Sequence, residues 1–489
     1  MSPRRGSFYV TPAREIAAIL LILFISFLFL STAVALVDWR RGWLLAIVCG
    51  VLQDPARKLT PGTPVVMTMS MVLIYAVVLF AAQSTLQEHA REFARRFSAI
   101  KVTAAIVFVF MILAAFNGLI TFGLENWKAP ALAVFIYCAP IPAVLFGFTY
   151  LQREEHLYQF FRFYAIVTSI AMIGTVLEYF NFTWRVLGTV ALAEGNYRLI
   201  PGFTIRLLSG FYRAPDIMGW HAAMLTIIGI AMTLHTRKVQ LAWPWLLVTA
   251  WGFLSCLISG RRKAIYMVGV FAAVFLFRYF RRLTMTQVLA IVFAGLSLFL
   301  VVRRVGQDED ASVYTRSAGA TREEIFSRIE GGMFETVRQF GIMGAGLGTA
   351  TQGVYHVLTN ANLAIGWQEG GLGKLTMELG LPGLFAVALF ALALLSLMMK
   401  LSAHPDVEGS SQFARATLFA MVIANIVEFF VSAQAFSDAG LTLITAFLLG
   451  CLFATGVLDE RLAKSREASA MPPLPMQMHH PFQAPDAIY

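Results

Sequence analysis

The sequence predicts an all-α, polytopic integral membrane protein of about 12 transmembrane helices, with one large periplasmic loop that carries an amphipathic helix. Of the 489 residues, 58% are hydrophobic and only 13% are charged, whereas soluble domains carry about 25% charged residues. Many apolar runs reach the roughly 20 residues that are needed to cross about 30 Å of hydrocarbon. The net charge of +10 fits basic loops beside anionic lipid and gives no indication of nucleic-acid binding.

The apolar runs give the candidate spans. The first run is longer than the 7–15-residue core of a secretory signal, so we expect an uncleaved anchor. A shorter run, Trp43–Leu52, is expected to lie at the interface, to re-enter the membrane or to form a thin span. The candidate spans are Ile16–Val37, Pro64–Gln83, Val102–Ile120, Ala131–Leu151, Phe163–Phe180, Ile217–Leu234, Trp243–Ile258, Ala264–Phe280, Thr286–Val302, Leu375–Lys400, Phe413–Val431 and Ala439–Val457.

These spans divide the chain into four parts. Residues 1–302 hold the N-terminal helices and their outer loops, 303–374 form the long periplasmic loop, and 375–457 hold the C-terminal helices. Residues 458–489 are rich in Pro, Met and His, which predicts a disordered cytoplasmic tail. The four cysteines lie in or beside apolar runs without paired spacing. We therefore expect neither a disulfide framework nor a metal site, and no cofactor.

The loops that carry lysine and arginine predict the orientation. One basic segment follows Gln83, a second precedes Trp243, a third follows Phe280, and a fourth lies in the tail. Counting spans places all four on one side, which the positive-inside rule assigns to the cytoplasm. The C-terminus is then cytoplasmic. The N-terminus is expected on the same side, which requires that Trp43–Leu52 does not cross.

Two outer segments nevertheless carry clusters of arginine with few acids nearby. The clusters lie within Asn181–Asp216 and Ser259–Lys263. Cations on the outer side run against the positive-inside trend, so they indicate an anionic ligand. The planar fork of arginine makes paired hydrogen bonds that suit a diphosphate. The arginines predicted to hold a lipid diphosphate, with snorkelling to the interface as the alternative, are Arg206, Arg213, Arg261 and Arg262.

The long outer loop has a pattern of its own. Thr321 and Glu324 have capping-box spacing. Apolar residues then recur at helical spacing as far as Phe340, which predicts an amphipathic helix on the bilayer or against the bundle. The glycine-rich turn Gly344–Gly348 follows and would allow a close approach to another surface. No strand precedes this turn, so the pattern does not indicate dinucleotide binding.

A few outer residues suit acid–base or sugar chemistry. His356 has a side chain that serves as a general base near neutral pH, although an ordinary loop histidine is the alternative. Glu428 and Glu178 fall inside apolar runs, where carboxylates either function in a site or neutralise an arginine. Trp367 and Glu369 could stack on a sugar and bind its hydroxyl groups, or they could simply pack in the loop.

Together, several segments resemble the O-antigen ligase and polymerase superfamily of bacterial membrane glycosyltransferases. Their order and approximate spacing are similar over roughly residues 206 to 401, whereas the first half of the chain is similar only in being helical. The segments that carry the resemblance are Arg206–Gly219, Ser259–Ala264, Arg328, Gly344–Gly348, His356 and Glu378–Gly383.

The resemblance implies a glycan donor that is linked to undecaprenyl diphosphate at the periplasmic face of a bacterial inner membrane. It implies transfer without a nucleotide sugar and, in the ligases, without a metal, with the outer arginines on the diphosphate. His356 would activate the acceptor hydroxyl, and Arg328 and Glu378 would support the glycan site. The family often has a histidine or asparagine directly after the first histidine, and this chain does not. Glu369 or Asp216 is therefore the alternative base.

Three functions are compared. Polymerisation of lipid-linked oligosaccharide repeats is expected, with the bilayer and chain-length regulators or export proteins as further partners. The alternative within the same chemistry is a ligase that transfers the glycan to lipid A-core. The alternative of another class is a flippase or transporter of lipid-linked sugars, which should show internal repeats and charges near the membrane midplane. The charges of this chain fall instead at the outer ends of its predicted spans.

Overall fold

The computed structural model describes residues 11–190, 197–200, 203–236, 239–279, 332–351, 353–354, 357–359, 368–402, 411–433 and 435–470. Within these residues the chain forms α-helices and one two-stranded antiparallel hairpin. The helical content agrees with the all-α prediction. The predicted span Thr286–Val302, the first part of the long loop and the end of the tail lie outside the described residues.

The helices are separated by two long intervals, residues 180–214 and 280–370, and most of them otherwise follow one another with short connections. They are α1 (Thr11–Val37), α2 (Trp39–Leu59), α3 (Ser70–Ala81), α4 (Gln83–Arg96), α5 (Ser98–Phe122), α6 (Lys128–Cys138), α7 (Pro140–Tyr150), α8 (Glu154–Tyr179), α9 (Pro215–His235), α10 (Val239–Ile258), α11 (Arg262–Tyr279), α12 (Gly371–Ser402), α13 (Gln412–Val431) and α14 (Ala439–Ala470). The hairpin pairs β1 (Tyr197–Ile200) with β2 (Phe203–Arg206), with Tyr197 opposite Arg206. Residues 332–340 are also helical.

Among the described residues, nine helices are long and apolar enough to cross a membrane. A tenth is obtained if the bent pair Val65–Ala81 and Gln83–Arg96, whose axes differ by 80°, counts as one broken span. These helices fit the predicted multi-pass membrane protein. The larger total of about 12 spans stays a prediction.

The short run Trp43–Leu52 belongs to α2, a helix of 21 residues that is about 31 Å long at 1.5 Å per residue. Near its start, Trp39 packs edge-on against Tyr150 with ring centroids 6.3 Å apart. Near its end, Asp54 pairs with Arg213 at 3.2 Å. The helix therefore connects the two ends of the bundle, and we call the Arg213 end the site end. Since α1 packs antiparallel to α2, α1 begins at the site end. The expectation of an N-terminus on the side of the C-terminus required that Trp43–Leu52 does not cross, and the path of α1 and α2 does not meet that condition.

At the opposite end, the helix ends beside the predicted basic segments meet. Arg96 donates hydrogen bonds of 2.8 and 3.0 Å to Glu460, which joins α4 to α14. The ring of Phe413 at the start of α13 lies 5.5 Å from that of His235 and 5.4 Å from that of Tyr279. The helix ends that adjoin the predicted basic segments thus share one end, as predicted. That this end is cytoplasmic stays a prediction.

The core of the bundle is organised around α9, whose most apolar stretch is 94% buried. Close packing elsewhere depends on glycine, because lipid gives helices no hydrophobic drive to associate. A Cβ atom at Gly147 of α7 would lie 2.0 Å from the Phe447 carbonyl oxygen of α14. A Cβ atom at Gly450 would lie 2.0 Å from the Val144 carbonyl oxygen. These two glycines let α7 and α14 pack backbone to backbone.

Candidate functional site

Two arginine-bearing segments meet at the site end. β2 ends at Arg206, and the turn between α10 and α11 contains Gly260 and Arg261. Gly260 has a φ of +70°, which glycine adopts without strain. A Cβ atom there would lie 2.8 Å from Leu207 Cδ2 and 3.5 Å from the Arg206 carbonyl oxygen. The two arginine clusters that lie more than 40 residues apart in sequence are therefore in contact.

Arg261 is oriented by a carboxylate on a third segment. Its Nη2 lies 3.0 Å from Asp216 Oδ2. Asp216 occupies the first turn of α9, where the helix dipole favours a negative charge. The Arg261 backbone N–H donates to Ser259 Oγ at 3.0 Å, which fixes the turn. The Arg261 side chain is 18% exposed, so solvent reaches it, whereas its neighbour Arg262 is buried.

Arg206 lies at the end of α8. Its Nη1 donates a hydrogen bond to Asn181 Oδ1, two residues beyond the last residue of that helix. The side chain is partly exposed. Arg206 is thus positioned by two elements, the hairpin through its backbone and α8 through Asn181.

Lys263, which sequence reasoning did not include in the site, lies among these charged groups. Its Nζ donates to Ser432 Oγ at 2.8 Å, and its side chain is buried. The ammonium group interacts electrostatically with Asp216, Arg261, Glu369 and Glu428. The sequence signal for this residue was the run of three basic residues, 261–263, at the start of α11. A lysine that is buried there needs a specific partner.

Glu428 contributes a buried carboxylate to this cluster. It is 5% exposed near the end of α13. It feels the charges of Lys263 and Asp216, but no hydrogen bond or ion pair to its carboxylate is present among the described residues. A buried charged group without hydrogen bonds is costly. Such a carboxylate is typical of a functional position in a membrane protein.

Glu369 is connected to this cluster through a backbone hydrogen bond. The backbone N–H of Ala433 donates to the Glu369 carbonyl oxygen at 2.9 Å, which places the start of α12 beside the segment after α13. The predicted residues Asp216, Glu369 and Glu428 are therefore brought together around Lys263.

Arg213 has a different environment from the other arginines. Its Nη1 lies 3.2 Å from Asp54 Oδ1, and its Nη2 pairs with Asp438 Oδ2. Burial lowers the pKa of Arg213, but the carboxylates of Asp438 and Asp54 outweigh burial and raise the pKa above its usual range. The guanidinium is thus charged at all working pH values and neutralised inside the protein. Arg213 is an ion bridge between three segments, and it is not among the arginines that we propose for the diphosphate.

The loop between α8 and α9 is fixed by two buried charges. The Lys58 ammonium donates to the carbonyl oxygens of Val186, Gly210, Phe211 and Tyr212 at 2.7 to 3.1 Å. Glu178 accepts from the backbone N–H groups of Ser209 and Gly210 at 3.0 and 2.6 Å. The predicted carboxylate Glu178 therefore positions the loop that carries Arg206 and Arg213 instead of facing a ligand.

A histidine stack lies below this loop. His221 Nδ1 is 2.7 Å from the Tyr164 hydroxyl oxygen, and its ring stacks on that of Tyr212 at 4.7 Å between centroids. Burial raises the pKa of Tyr212 well above its usual range, so its hydroxyl stays neutral. These contacts agree with the structural role that is expected for a buried histidine.

The glycine-rich turn Gly344–Gly348 enters the bundle between α5, α6 and α12. The Leu347 N–H donates to the Ala114 carbonyl oxygen at 2.9 Å, and the Ala345 N–H donates to Met377 at 2.8 Å. Ala114 lies eight residues before the end of α5, or about 12 Å below it. The close approach that the glycines predict is confirmed.

Glu378 connects this loop to the helices. It is completely buried and accepts hydrogen bonds from the Tyr137 hydroxyl at 2.6 Å and the Thr351 hydroxyl at 2.5 Å. Lys374, one turn earlier on α12, lies 5.8 Å from the Tyr137 ring centroid. Glu378 therefore supports the loop that leads towards position 356, and a direct contact with a glycan would require this cluster to open.

Three predicted site residues lie outside the described residues. They are Arg328, His356 and Trp367. Within the part of the chain that the structure describes, no group of three or more His, Cys, Asp or Glu side chains could hold a metal ion. The described site thus consists of arginine, lysine and carboxylate groups from five segments.

Comparison with known proteins identifies no family. No protein-family model matches the chain, and no curated protein matches it significantly. The function is therefore argued from the geometry of the site and from the residues quoted above.

Proposed function

We propose that this protein is an integral-membrane glycosyltransferase that polymerises oligosaccharide repeats carried on a polyprenyl diphosphate. The site end would face the periplasm of a bacterial inner membrane, and the end at which Arg96 meets Glu460 would face the cytoplasm. Arg206 and Arg261, with Arg262 behind them, would hold the diphosphate of the donor.

The contact between β2 and the turn at Gly260 is the observation that carries this proposal. It brings Arg206 and Arg261 together at one end of a bundle of apolar helices, within reach of a headgroup whose chain stays in the bilayer. A diphosphate offers several acceptor oxygens to the paired donors of a guanidinium. A transporter of lipid-linked sugars would be expected to carry charges near the membrane midplane, whereas Arg206, Arg261 and Asp216 lie at the site end.

The chemistry is a substitution at the anomeric carbon of the donor. A hydroxyl group of the acceptor glycan attacks this carbon, and the bond from the carbon to the diphosphate oxygen breaks. The electron pair leaves on the diphosphate, whose negative charge the arginines stabilise. The proton of the acceptor hydroxyl goes to a base. His356 is the expected base, and Glu369 and Asp216 are the alternatives, although Asp216 is already paired with Arg261.

The test uses the purified full-length protein in detergent with a lipid-linked repeat as the only substrate. Wild-type protein should convert the repeat into longer lipid-linked chains, which a gel resolves. Arg206→Ala and Arg261→Ala should each reduce kcat/KM by roughly ten- to a hundredfold, since one charge-assisted hydrogen bond contributes about 1.5–3 kcal/mol. Arg185→Ala is the matched control, because Arg185 is an exposed arginine on the same outer segment.

The outcomes separate the three functions. Longer chains in detergent exclude a pure transporter, because a detergent solution has no separate compartments and a transporter cannot lengthen its substrate. Transfer only when lipid A-core is added would indicate the ligase. Equal activity of the Arg206, Arg261 and Arg185 variants would reject the proposed diphosphate site.

A further inference from the structure

An apolar groove runs along α2 between α1 and α8. Its volume is about 480 Å³, and only apolar side chains line it. α1 contributes Phe24 and Phe27, α2 contributes Leu52 and Pro55, and α8 contributes Ile170. Lipid chains are as apolar as these side chains, so burial alone does not select an occupant. Selection must come from what the occupant is attached to.

The end of the groove that lies at the site end of the bundle is formed by aromatic side chains. Trp184 and Phe211 line it there, with their rings edge to face at 5.9 Å between centroids. The ammonium of Lys58 fixes the backbone beside both rings, since it donates to the carbonyl oxygens of Val186 at 3.0 Å and Phe211 at 3.1 Å. A buried ammonium with four backbone acceptors keeps this end in one conformation.

The arginine of the hairpin lies beyond this end. Ile170 lines the groove, and Asn181, eleven residues later, accepts the hydrogen bond from Arg206. Eleven residues of nearly continuous α8 correspond to about 16 Å along the helix axis. Arg206, held at the end of α8 through Asn181, therefore lies beyond the groove in the direction of the site end, where the headgroup of a lipid whose chain enters the groove would lie.

We propose that the groove between α1, α2 and α8 holds the prenyl chain of the lipid-linked donor while its diphosphate lies at Arg206. This inference rests on the proposed function and names the part of the donor that the groove recognises. Binding of the diphosphate raises the local concentration of its own chain over that of bulk lipid. The continuity of the groove with the Arg206 segment is what favours the donor chain over a phospholipid chain.

The experiment compares two donors that carry the same repeat. One is linked to undecaprenyl diphosphate and the other to a short prenyl diphosphate that is too short to fill the groove. Leu52→Trp fills the groove from α2. The matched control is Ile112→Trp, which fills a second apolar groove of about 210 Å³ along α5. The two positions have similar exposure, 39% for Leu52 and 41% for Ile112.

Leu52→Trp should raise KM for the undecaprenyl donor by about tenfold and leave KM for the short donor unchanged, as expected when one apolar contact is lost. Ile112→Trp should change neither value. Ile170→Trp, at an exposed position on the other wall, should repeat the result and replaces Leu52→Trp if that variant does not fold.

One result would contradict the groove proposal alone, and a different result would contradict the proposed function. If both groove variants leave KM for the long donor unchanged, or raise KM for both donors equally, the groove holds bulk lipid and the inference is overturned. If wild-type protein elongates neither donor, the proposed function itself fails.

Discussion

Arg213 bridges two buried carboxylates, Asp54 of α2 and Asp438 ahead of α14, although the three residues are far apart in sequence. The two carboxylates are 1% and 6% exposed. Removing one partner of a buried ion pair leaves an uncompensated charge. Arg213→Ala should therefore destabilise the folded protein by about 3–5 kcal/mol. Thermal unfolding in detergent, followed by intrinsic fluorescence, measures the loss.

Arg41→Ala provides the control for this prediction. Arg41 also pairs with an aspartate, Asp38, at 3.2 Å, but the two side chains are 78% and 40% exposed. An exposed pair contributes less than about 1 kcal/mol. An equal loss of stability in the two variants would contradict the assignment of Arg213 as a buried bridge.

The glycine-rich loop offers a second prediction. Gly346 has a φ of +96°, and a Cβ atom there would lie 2.2 Å from the backbone nitrogen of Gly118 on α5. Gly346→Ala should therefore push the loop out of the bundle and cost more than about 3 kcal/mol, because neither backbone can yield easily. Limited proteolysis of the loop, together with the melting temperature, reports the displacement.

The matched variant is Gly341→Ala in the same segment. Gly341 has a φ of +74° but no atom within 4 Å of a Cβ position. Its substitution should cost only the strain of a left-handed residue, about 1–2 kcal/mol. If the two variants melt at the same temperature, the close approach to α5 does not stabilise the loop.

The sequence predicted the helices well because lipid imposes a length and a polarity on each span. It left open whether Trp43–Leu52 spans the membrane, because charged residues at both ends of α2 shorten its apolar run. Those charges, Asp54 and Lys58 among them, are satisfied by Arg213 and by four carbonyl groups from the segment after α8. Partners this distant in sequence leave no local pattern.

The site was predictable in its parts and not in its pairings. The arginines of the predicted outer segments were found because cations on the outer side would contradict the positive-inside trend. That rule cannot tell Arg213, which is neutralised by two carboxylates, from Arg261, which is partly exposed. Nor does it show that Lys263 lies between Asp216, Glu369 and Glu428, since this depends on how the helices pack.

Glu378 leads to a third prediction. Its carboxylate accepts from Tyr137 and Thr351, and a hydrogen bond to a charged group contributes about 1.5–3 kcal/mol. Glu378→Gln and Thr351→Val should each lower the melting temperature. The double variant should lose less than the sum, with a coupling energy of about 1–3 kcal/mol. Additive losses would show that the two side chains do not interact.

Glu428 should behave in the opposite way, with stability and activity changing in different directions. Its buried carboxyl group lacks a hydrogen bond among the described residues and is costly to ionise, so an isosteric neutral amide should be tolerated there. Glu428→Gln should therefore keep or raise the melting temperature. The same change removes a carboxylate that interacts with Lys263, and elongation of lipid-linked repeats should fall by about tenfold or more. Glu125→Gln, at an exposed acid of the site end, should change neither property. A Glu428→Gln protein that melts earlier and elongates normally would mean that the carboxylate stabilises the fold and has no part in the site.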